Sequence, residues 1–409
     1  MELKNIIIQI SRKDDLHAVD ARGVKTQNRW YSMRKADTKW LDGTAKRGAW
    51  IDPEMNAIAY FRDKTTDKLG VQGTKEFNRL NRRRLATNIL RCIEGKRGNT
   101  DGLQAGVDDL LDRANNFVPG CLSVPQIPLD KDNRANSRRL NLNLATLGSK
   151  WMRTNAPKSA RILPYHFLDS ASYRTPALAK KCVSYLGKLL EQAETNNVWI
   201  YPLHLDDHLA QAKMQTEIGL FAELLEVVRT QLGSAHVVTG PFWFMQWVWF
   251  ARGLADAYMV CPSKPFRYLA WSPPRRNPSI DHIVCPPLLR YLRANEQTAY
   301  WAEESAAEGT KLGNPAIESL ADLKHTSLKT SVHHKRQADY MFARIEEELK
   351  LRKTPGSATM HYFQECTKAL AVGSQLQHRI PATSLDYDSS LQRRPGAVAE
   401  QLLLQCLPR

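Results

Sequence analysis

The chain has 409 residues, of which 43% are hydrophobic, and its formal net charge at pH 7 is +16. This apolar content predicts a globular core, and no uninterrupted apolar run is long enough to span a bilayer. The seven cysteines show neither a CxxC pair nor the spacing of a zinc site, which argues against a disulfide framework and a structural zinc ion. We therefore expect a soluble cytoplasmic protein with no membrane partner.

The positive charge is concentrated in the first part of the chain. Residues 1–160 contain 30 Lys and Arg against 18 Asp and Glu, a net charge of +12, and residues 161–409 add only +4. This asymmetry favours a polyanionic partner, and we expect DNA or RNA to bind the N-terminal part. The alternative is a basic protein without a nucleic-acid partner.

Residues 1–116 are predicted to form a basic α+β region that binds nucleic acid. Strand-like runs cover residues 5–10 and 56–62, and residues 76–99 carry apolar side chains at helical spacing. Arginines of this helix and of the segment after it are expected to contact phosphates, with a solvated helix surface as the alternative. The predicted nucleic-acid-binding residues are Arg79, Arg82, Arg83, Arg84, Arg138 and Arg139.

Residues 117–160 are rich in Pro, Asn and Arg, which predicts a linker or long loop. From residue 161 strand-like and helix-like runs alternate, and this order predicts βαβ units with a parallel sheet. We predict an α/β fold in which residues 161–355 form a TIM-barrel-like (β/α) catalytic domain. An open sheet is the alternative. The domain closes with a helix over 331–353. Residues 356–409 form a C-terminal tail, of which residues 370–409 are expected to be weakly ordered.

Acidic residues stand at the ends of three strand-like runs. Asp169 and the pair Asp206–Asp207 follow apolar runs, whereas Asp256 begins the last one. Reacting groups of parallel α/β folds gather at the carboxyl ends of the strands, so these acids are catalytic candidates. Helix capping is the alternative for each of them. No metal and no cofactor are predicted, although a metal site is conceivable at His204, Asp206, Asp207 and His208.

Four segments, in this order, resemble the tRNA-guanine transglycosylase superfamily, which includes enzymes that insert deazapurines into DNA. They are LDSASYR (168–174), WIYPLHLDD (199–207), GLADAYMVCPSKPFRY (253–268) and LKTSVHHKRQADYMFARIEEEL (328–349). The chain differs from the family pattern in four ways, and one of them is that the spacings between the motifs are much shorter than in the tRNA enzymes. Ala171-Ser172 replaces a Gly-Gly pair, Tyr258 stands where the nucleophilic aspartate is expected, and the zinc-binding cysteines before the last helix are missing.

The resemblance implies exchange of a purine base in DNA or tRNA through a covalent intermediate on a carboxylate. In that mechanism Asp256 is the nucleophile candidate, Asp169 is the acid/base, and Asp206 reads the base edge. The residues expected to bind the substrate are Ser170, Tyr173, Asp207, Tyr258 and Lys264. The alternative is a non-catalytic nucleic-acid-binding subunit of a larger complex, which would have partner proteins.

Overall fold

The structure is a computed structural model, and it describes part of the chain. The described residues are 5–10, 13–25, 29–32, 50–52, 83–93, 100–117, 121–124, 126–127, 129, 134–156, 161–203, 213–242, 245–261, 282–285, 290–293, 300, 338–339, 341–347, 350 and 357–376.

The described segments alternate between strands and helices. The strands are β1 (Ile6–Ile10), β2 (Arg29–Ser32), β3 (Trp50–Asp52), β4 (Cys121–Leu122), β5 (Arg161–Ile162), β6 (Tyr165–Asp169), β7 (Asn197–Leu203), β8 (His236–Thr239), β9 (Ala257–Val260), β10 (His282–Cys285) and β11 (Arg290–Arg293). The helices are α1 (Lys13–Ala21), α2 (Arg83–Ile93), α3 (Thr100–Phe117), α4 (Arg134–Asn155), α5 (Pro176–Ala193), α6 (Lys213–Gln231), α7 (Met245–Ala251) and α8 (Ser357–Leu376).

Strands β1 to β9 form one parallel sheet. Their order in the sheet is β5-β4-β3-β2-β1-β9-β8-β7-β6, and every pair between neighbours is parallel. Strands β10 and β11 pair separately and are antiparallel. The predicted α/β class with a parallel sheet is therefore confirmed.

The sheet crosses the predicted boundary between an N-terminal region and a catalytic domain. β1 pairs on one side with β2 and on the other with β9, with Ile6 opposite Tyr258 and Ile8 opposite Val260. Strands from residues 1–116 and from residues 161–355 thus share one hydrogen-bonded sheet. The division into two separate domains at these positions is wrong for the residues of this sheet.

The prediction of a linker or long loop over 117–160 is also wrong for most of its length. Helix α4 occupies 22 residues of this segment, and its buried side chains include Leu140, Leu144 and Trp151. The Trp151 indole nitrogen donates to the Asp112 carboxylate of α3 at 2.9 Å. An apolar stripe at helical spacing is present in the sequence, but the Asn and Arg residues around it obscured the periodicity.

Part of the predicted C-terminal tail is also a helix. Helix α8 runs to residue 376, and its Tyr362 ring stacks on Trp247 of α7 at 6.1 Å. Packing against the body of the protein stabilises this helix, whose own sequence gives only a weak signal. None of the helices in the described part of the chain is long and apolar enough to cross a membrane.

Large aromatic side chains fill one side of the sheet. Along β6, Tyr165 and Phe167 point to this side, because side chains alternate along a strand. Their rings contact Trp199 of β7 at 5.9 and 5.6 Å. Trp30 of β2 contacts Tyr165 at 6.2 Å and Trp199 at 5.2 Å. On the other side of β6, His166 packs against Tyr185 of α5.

Candidate functional site

Asp169 ends β6 and lies on the same strand side as Tyr165 and Phe167, since it follows them at steps of two residues. Its Oδ1 accepts a hydrogen bond from the Ala171 amide at 2.8 Å, which caps the 3₁₀ turn Ser170–Ser172. The capping alternative therefore holds for this oxygen. The second oxygen, Oδ2, accepts no hydrogen bond from the described residues, and the side chain is half-buried. Asp169 can thus cap the turn and still offer one carboxylate oxygen to a substrate.

A second carboxylate, Glu217 of α6, lies beside this turn. The Ser170 hydroxyl donates to Glu217 Oε1 at 3.3 Å. The other oxygen, Oε2, is buried and has no hydrogen-bond partner within the described part of the chain. A buried acceptor without a donor is costly and is often kept for function. No sequence motif marks Glu217, because it lies inside an ordinary amphipathic helix pattern.

Tyr173 lies between the two carboxylates and the core. It is fully buried, with its ring edge-on to Phe221 at 5.8 Å, and its hydroxyl finds no partner among the described residues. Burial raises the pKa of Tyr173 well above 10, and the neighbouring Glu217, Cys182 and Asp169 raise it further. The hydroxyl therefore keeps its proton at neutral pH and remains a hydrogen-bond donor.

Buried aromatic rings form the wall behind these polar groups. Phe221 packs on Trp249 at 4.9 Å, Trp249 stacks on Phe242 at 6.1 Å, and Phe242 meets Tyr201 at 6.1 Å. Phe242 is fully buried in this chain of rings. The aromatic run at 241–250 thus serves core packing at its described positions, and Trp243 lies outside them.

The end of β8 forms a tight polar corner near this wall. Gly240 has φ +79° and precedes a cis peptide bond to Pro241. Its carbonyl accepts a hydrogen bond from the Trp199 indole at 2.8 Å. The Gln246 side chain accepts from the Phe242 amide at 2.9 Å, while its buried Nε2 donates to none of the described residues. The corner therefore leaves an amide donor beside the carboxyl ends of the strands.

Asp256 lies at the opposite end of the sheet. Its Oδ2 accepts from the Val237 amide at 2.7 Å and pairs with Arg229 at 2.6 Å. The strand register places Ala257 level with Tyr165, so Asp256 precedes the level of Asp169 by five residues. At about 3.3 Å per residue, this is about 16 Å along the strands. The prediction that Asp256 is the nucleophile of a site with Asp169 is therefore wrong.

Tyr258 also points away from Asp169. It neighbours Ala257 along β9, and Ala257 is level with Trp199 on the aromatic side of the sheet. Tyr258 consequently faces the helices, where it is fully buried and contacts Phe250 of α7 at 5.5 Å. Packing occupies the position that was expected to bind substrate. Predicted residues outside the described part are His204, Asp206, Asp207, His208 and Lys264.

The predicted arginines have different environments. Arg138 is half-buried, with its guanidinium 5.4 Å above the Tyr185 ring. Beside it, burial foremost and then the Arg138 charge lower the pKa of His166 to about 3. Arg138 thus packs against Tyr185 of α5 instead of standing free for phosphate, whereas Arg139 is exposed. Arg83 and Arg84 open helix α2, and the remaining two, Arg79 and Arg82, lie outside the described residues.

The comparisons with known proteins found no relatives for this chain. No protein-family model matches the sequence, and no curated protein or solved structure matches it significantly. The function is therefore argued from the geometry of the site and from the sequence pattern.

Proposed function

We propose that the parallel sheet closes into an eight-stranded (β/α) barrel with the site at its carboxyl-end mouth. The edge strands β5 and β6 are separated by only two residues, so they belong to one chain segment. Beyond β4, the Leu129 amide donates to the Phe167 carbonyl of β6 at 3.2 Å. A continuous strand over 161–169 that pairs with β4 at its start and with β7 at its end would join the two edges.

The aromatic contacts support the same closure. In an open sheet, β2 and β7 would be separated by four strand spacings, or about 19 Å at about 4.8 Å each. The rings of Trp30 and Trp199, from these two strands, lie 5.2 Å apart. Side chains that meet across such a sheet fill the interior of a barrel. Asp169 would then sit at the barrel mouth, where βα loops carry catalytic groups in this architecture.

At this mouth we infer an enzyme that exchanges a purine base in DNA or tRNA, as the sequence resemblance implies. The observation that carries the proposal is that two carboxylates adjoin Ser170: Asp169 precedes it in the chain, and Glu217 accepts its hydroxyl hydrogen bond. Asp169 keeps the predicted acid/base role. Glu217 takes the place of Asp256 as the second carboxylate, the group that would attack the sugar carbon as the base leaves.

The polar groups left at the site match the edge of a purine. Asp169 offers a carboxylate oxygen as acceptor, and Tyr173 holds a protonated hydroxyl as donor. A guanine-like base presents N–H groups and a carbonyl oxygen, which need acceptors and a donor respectively. The net charge of +12 in residues 1–160 supplies attraction for the nucleic-acid backbone.

The proposal is tested by incubating the full chain with tRNA or duplex DNA and isotope-labelled guanine or deazaguanine. Mass spectrometry of the digested nucleic acid then measures base exchange. We expect exchange by the wild type and none by Asp169→Asn or Glu217→Gln. Glu223→Gln changes an exposed acid of the same helix and should retain activity. Binding of nucleic acid without any exchange would instead favour the non-catalytic subunit.

A further inference from the structure

Three metal-ligating side chains converge where α8 meets the helical residues 341–347. Glu347 belongs to those helical residues, and His361 and Glu365 stand one turn apart on α8. One ligand atom from each of the three lies within 4.8 Å of the others. The His361 Nε2 is 3.5 Å from Glu365 Oε1 and 3.7 Å from Glu347 Oε1.

The histidine nitrogen points at two carboxylate oxygens without forming a hydrogen bond. Its Nε2 is shielded from solvent, and no described residue is its hydrogen-bond partner. Two carboxylate oxygens and an imidazole nitrogen in such proximity form a donor set for a metal ion.

The two separations from His361 Nε2 are close to those between ligand atoms around a metal ion. In a tetrahedral site with metal–ligand bonds of about 2.0–2.2 Å, neighbouring ligand atoms lie about 3.3–3.6 Å apart. The donor set of one imidazole and two carboxylates is one that Zn²⁺ accepts, with a fourth position left for water. The two separations from His361 Nε2 lie within a few tenths of an ångström of this geometry, and the ligand atoms of Glu347 and Glu365 lie within 4.8 Å of each other.

Arg344 holds the two carboxylates in place. Its guanidinium donates to both Glu365 oxygens and to Glu347 Oε2 at 3.2 Å, and it lies 5.3 Å from the centre of the Trp247 ring. Glu347 Oε1 therefore remains directed at His361. With a neutral imidazole, the two carboxylates and one guanidinium sum to a net charge of −1, which favours a further cation. Orientation of ligands by such outer hydrogen bonds is common at metal centres.

We propose that Glu347, His361 and Glu365 bind one divalent transition-metal ion of the Zn²⁺ type, which pins α8 to the helical segment before it. None of its residues takes part in the proposed base exchange, so the two proposals are tested separately. Its role is structural: the ion would join two helical segments that are otherwise linked by the Arg344–Glu365 ion pair.

The test uses the full chain, freed of metal by a chelator and dialysed against Zn²⁺. Elemental analysis should find one equivalent bound to the wild type, and His361→Gln should bind at least about tenfold more weakly. Glu347→Gln alters an exposed ligand and should also weaken binding without harming the fold. His236→Gln changes an exposed histidine at the start of β8 and is the matched control.

Two further readouts separate this site from adventitious binding to cysteines. Co²⁺ in place of Zn²⁺ should give visible d–d bands without a thiolate charge-transfer band, and these bands should disappear in His361→Gln. Zn²⁺ should raise the unfolding temperature of the wild type and of His236→Gln but not of His361→Gln. No stoichiometric metal uptake by the wild type, or equal uptake by His361→Gln, would overturn the proposal.

Discussion

The placement of Asp256 at the amino end of the sheet predicts a structural phenotype for its removal. Asp256→Ala deletes a carboxylate that accepts from the Val237 amide at 2.7 Å and pairs with Arg229 at 2.6 Å. The exposed fractions of the two paired side chains are 34% for Asp256 and 22% for Arg229, so solvent screens part of the ion pair. Arg229 also keeps its bonds to the Leu254 and Ala235 carbonyls.

The expected destabilisation follows from these contacts. Loss of the acceptor for the Val237 amide costs about 1–3 kcal/mol, and the screened ion pair adds at most about 1 kcal/mol. We expect a decrease of about 2–3 kcal/mol in the free energy of unfolding, measured by urea denaturation. The melting temperature should fall by about 2–4 °C for a chain of 409 residues. Base exchange per folded molecule should remain at the wild-type level.

Glu226→Ala is a matched variant that loses an ion pair but no backbone hydrogen bond. Glu226→Ala breaks the ion pair of Glu226 with Arg252 at 3.0 Å, in which the carboxylate is 42% exposed, and should cost less than about 1 kcal/mol. If Asp256→Ala unfolds like the wild type but loses base exchange, the reasoning that places this acid away from the reacting groups is refuted.

Three further predictions concern the fold around the site. Trp30→Ala should lower the free energy of unfolding by about 3–5 kcal/mol in urea titrations, because it empties the interior beside Trp199; a loss under about 1 kcal/mol would contradict barrel closure. Gly240→Ala should cost about 2–4 kcal/mol, since φ is +79° and a Cβ would lie 2.7 Å from Gln246 Cβ; an unchanged melting temperature would be inconsistent with this corner. The lowered pKa of His166 means that the unfolded state binds a proton between about pH 6.5 and 3 that the folded state does not. Lowering the pH through this window should therefore decrease the free energy of unfolding by up to about 1.4 kcal/mol per pH unit. The free energy of unfolding of His166→Phe should depend less steeply on pH; parallel curves for the two proteins would argue against a neutral buried His166.

The strand–helix alternation of residues 161–261 could be predicted from the sequence because local signals agree there. Thr175 caps α5 by accepting from the Leu178 amide at 3.3 Å, Pro176 follows it at the first turn, and Glu194 ends the helix with a left-handed backbone. β-branched and aromatic residues mark the strands between the helices. Each of these features is readable within one short window.

The assembly of the sheet could not be predicted in the same way. The pairing of β1 with β9 joins residues about 250 positions apart, and no local pattern encodes such a contact. The short strands β2 to β5 carry too few residues for a period to be recognised. The basic composition of residues 1–160 therefore suggested a separate region where the structure has one sheet.

The candidate site was predicted in part. Asp169, Ser170 and Tyr173 follow a strand, and the rule that parallel strands present groups at their carboxyl ends identified them. The same rule failed for Asp256 because this acid precedes its strand. The alternation of apolar and polar side chains does not show where a short strand starts and where it ends. Glu217 was missed because its role depends on a contact with Ser170, 47 residues away.

The most direct test of the account is the base-exchange rate of Glu217→Gln compared with Glu223→Gln on tRNA and duplex DNA. The account predicts that the first variant loses exchange at least about 100-fold, with nucleic-acid binding and melting temperature unchanged, while the second exchanges like the wild type. Equal exchange by the two variants would contradict the assignment of Asp169 and Glu217 as the carboxylate pair.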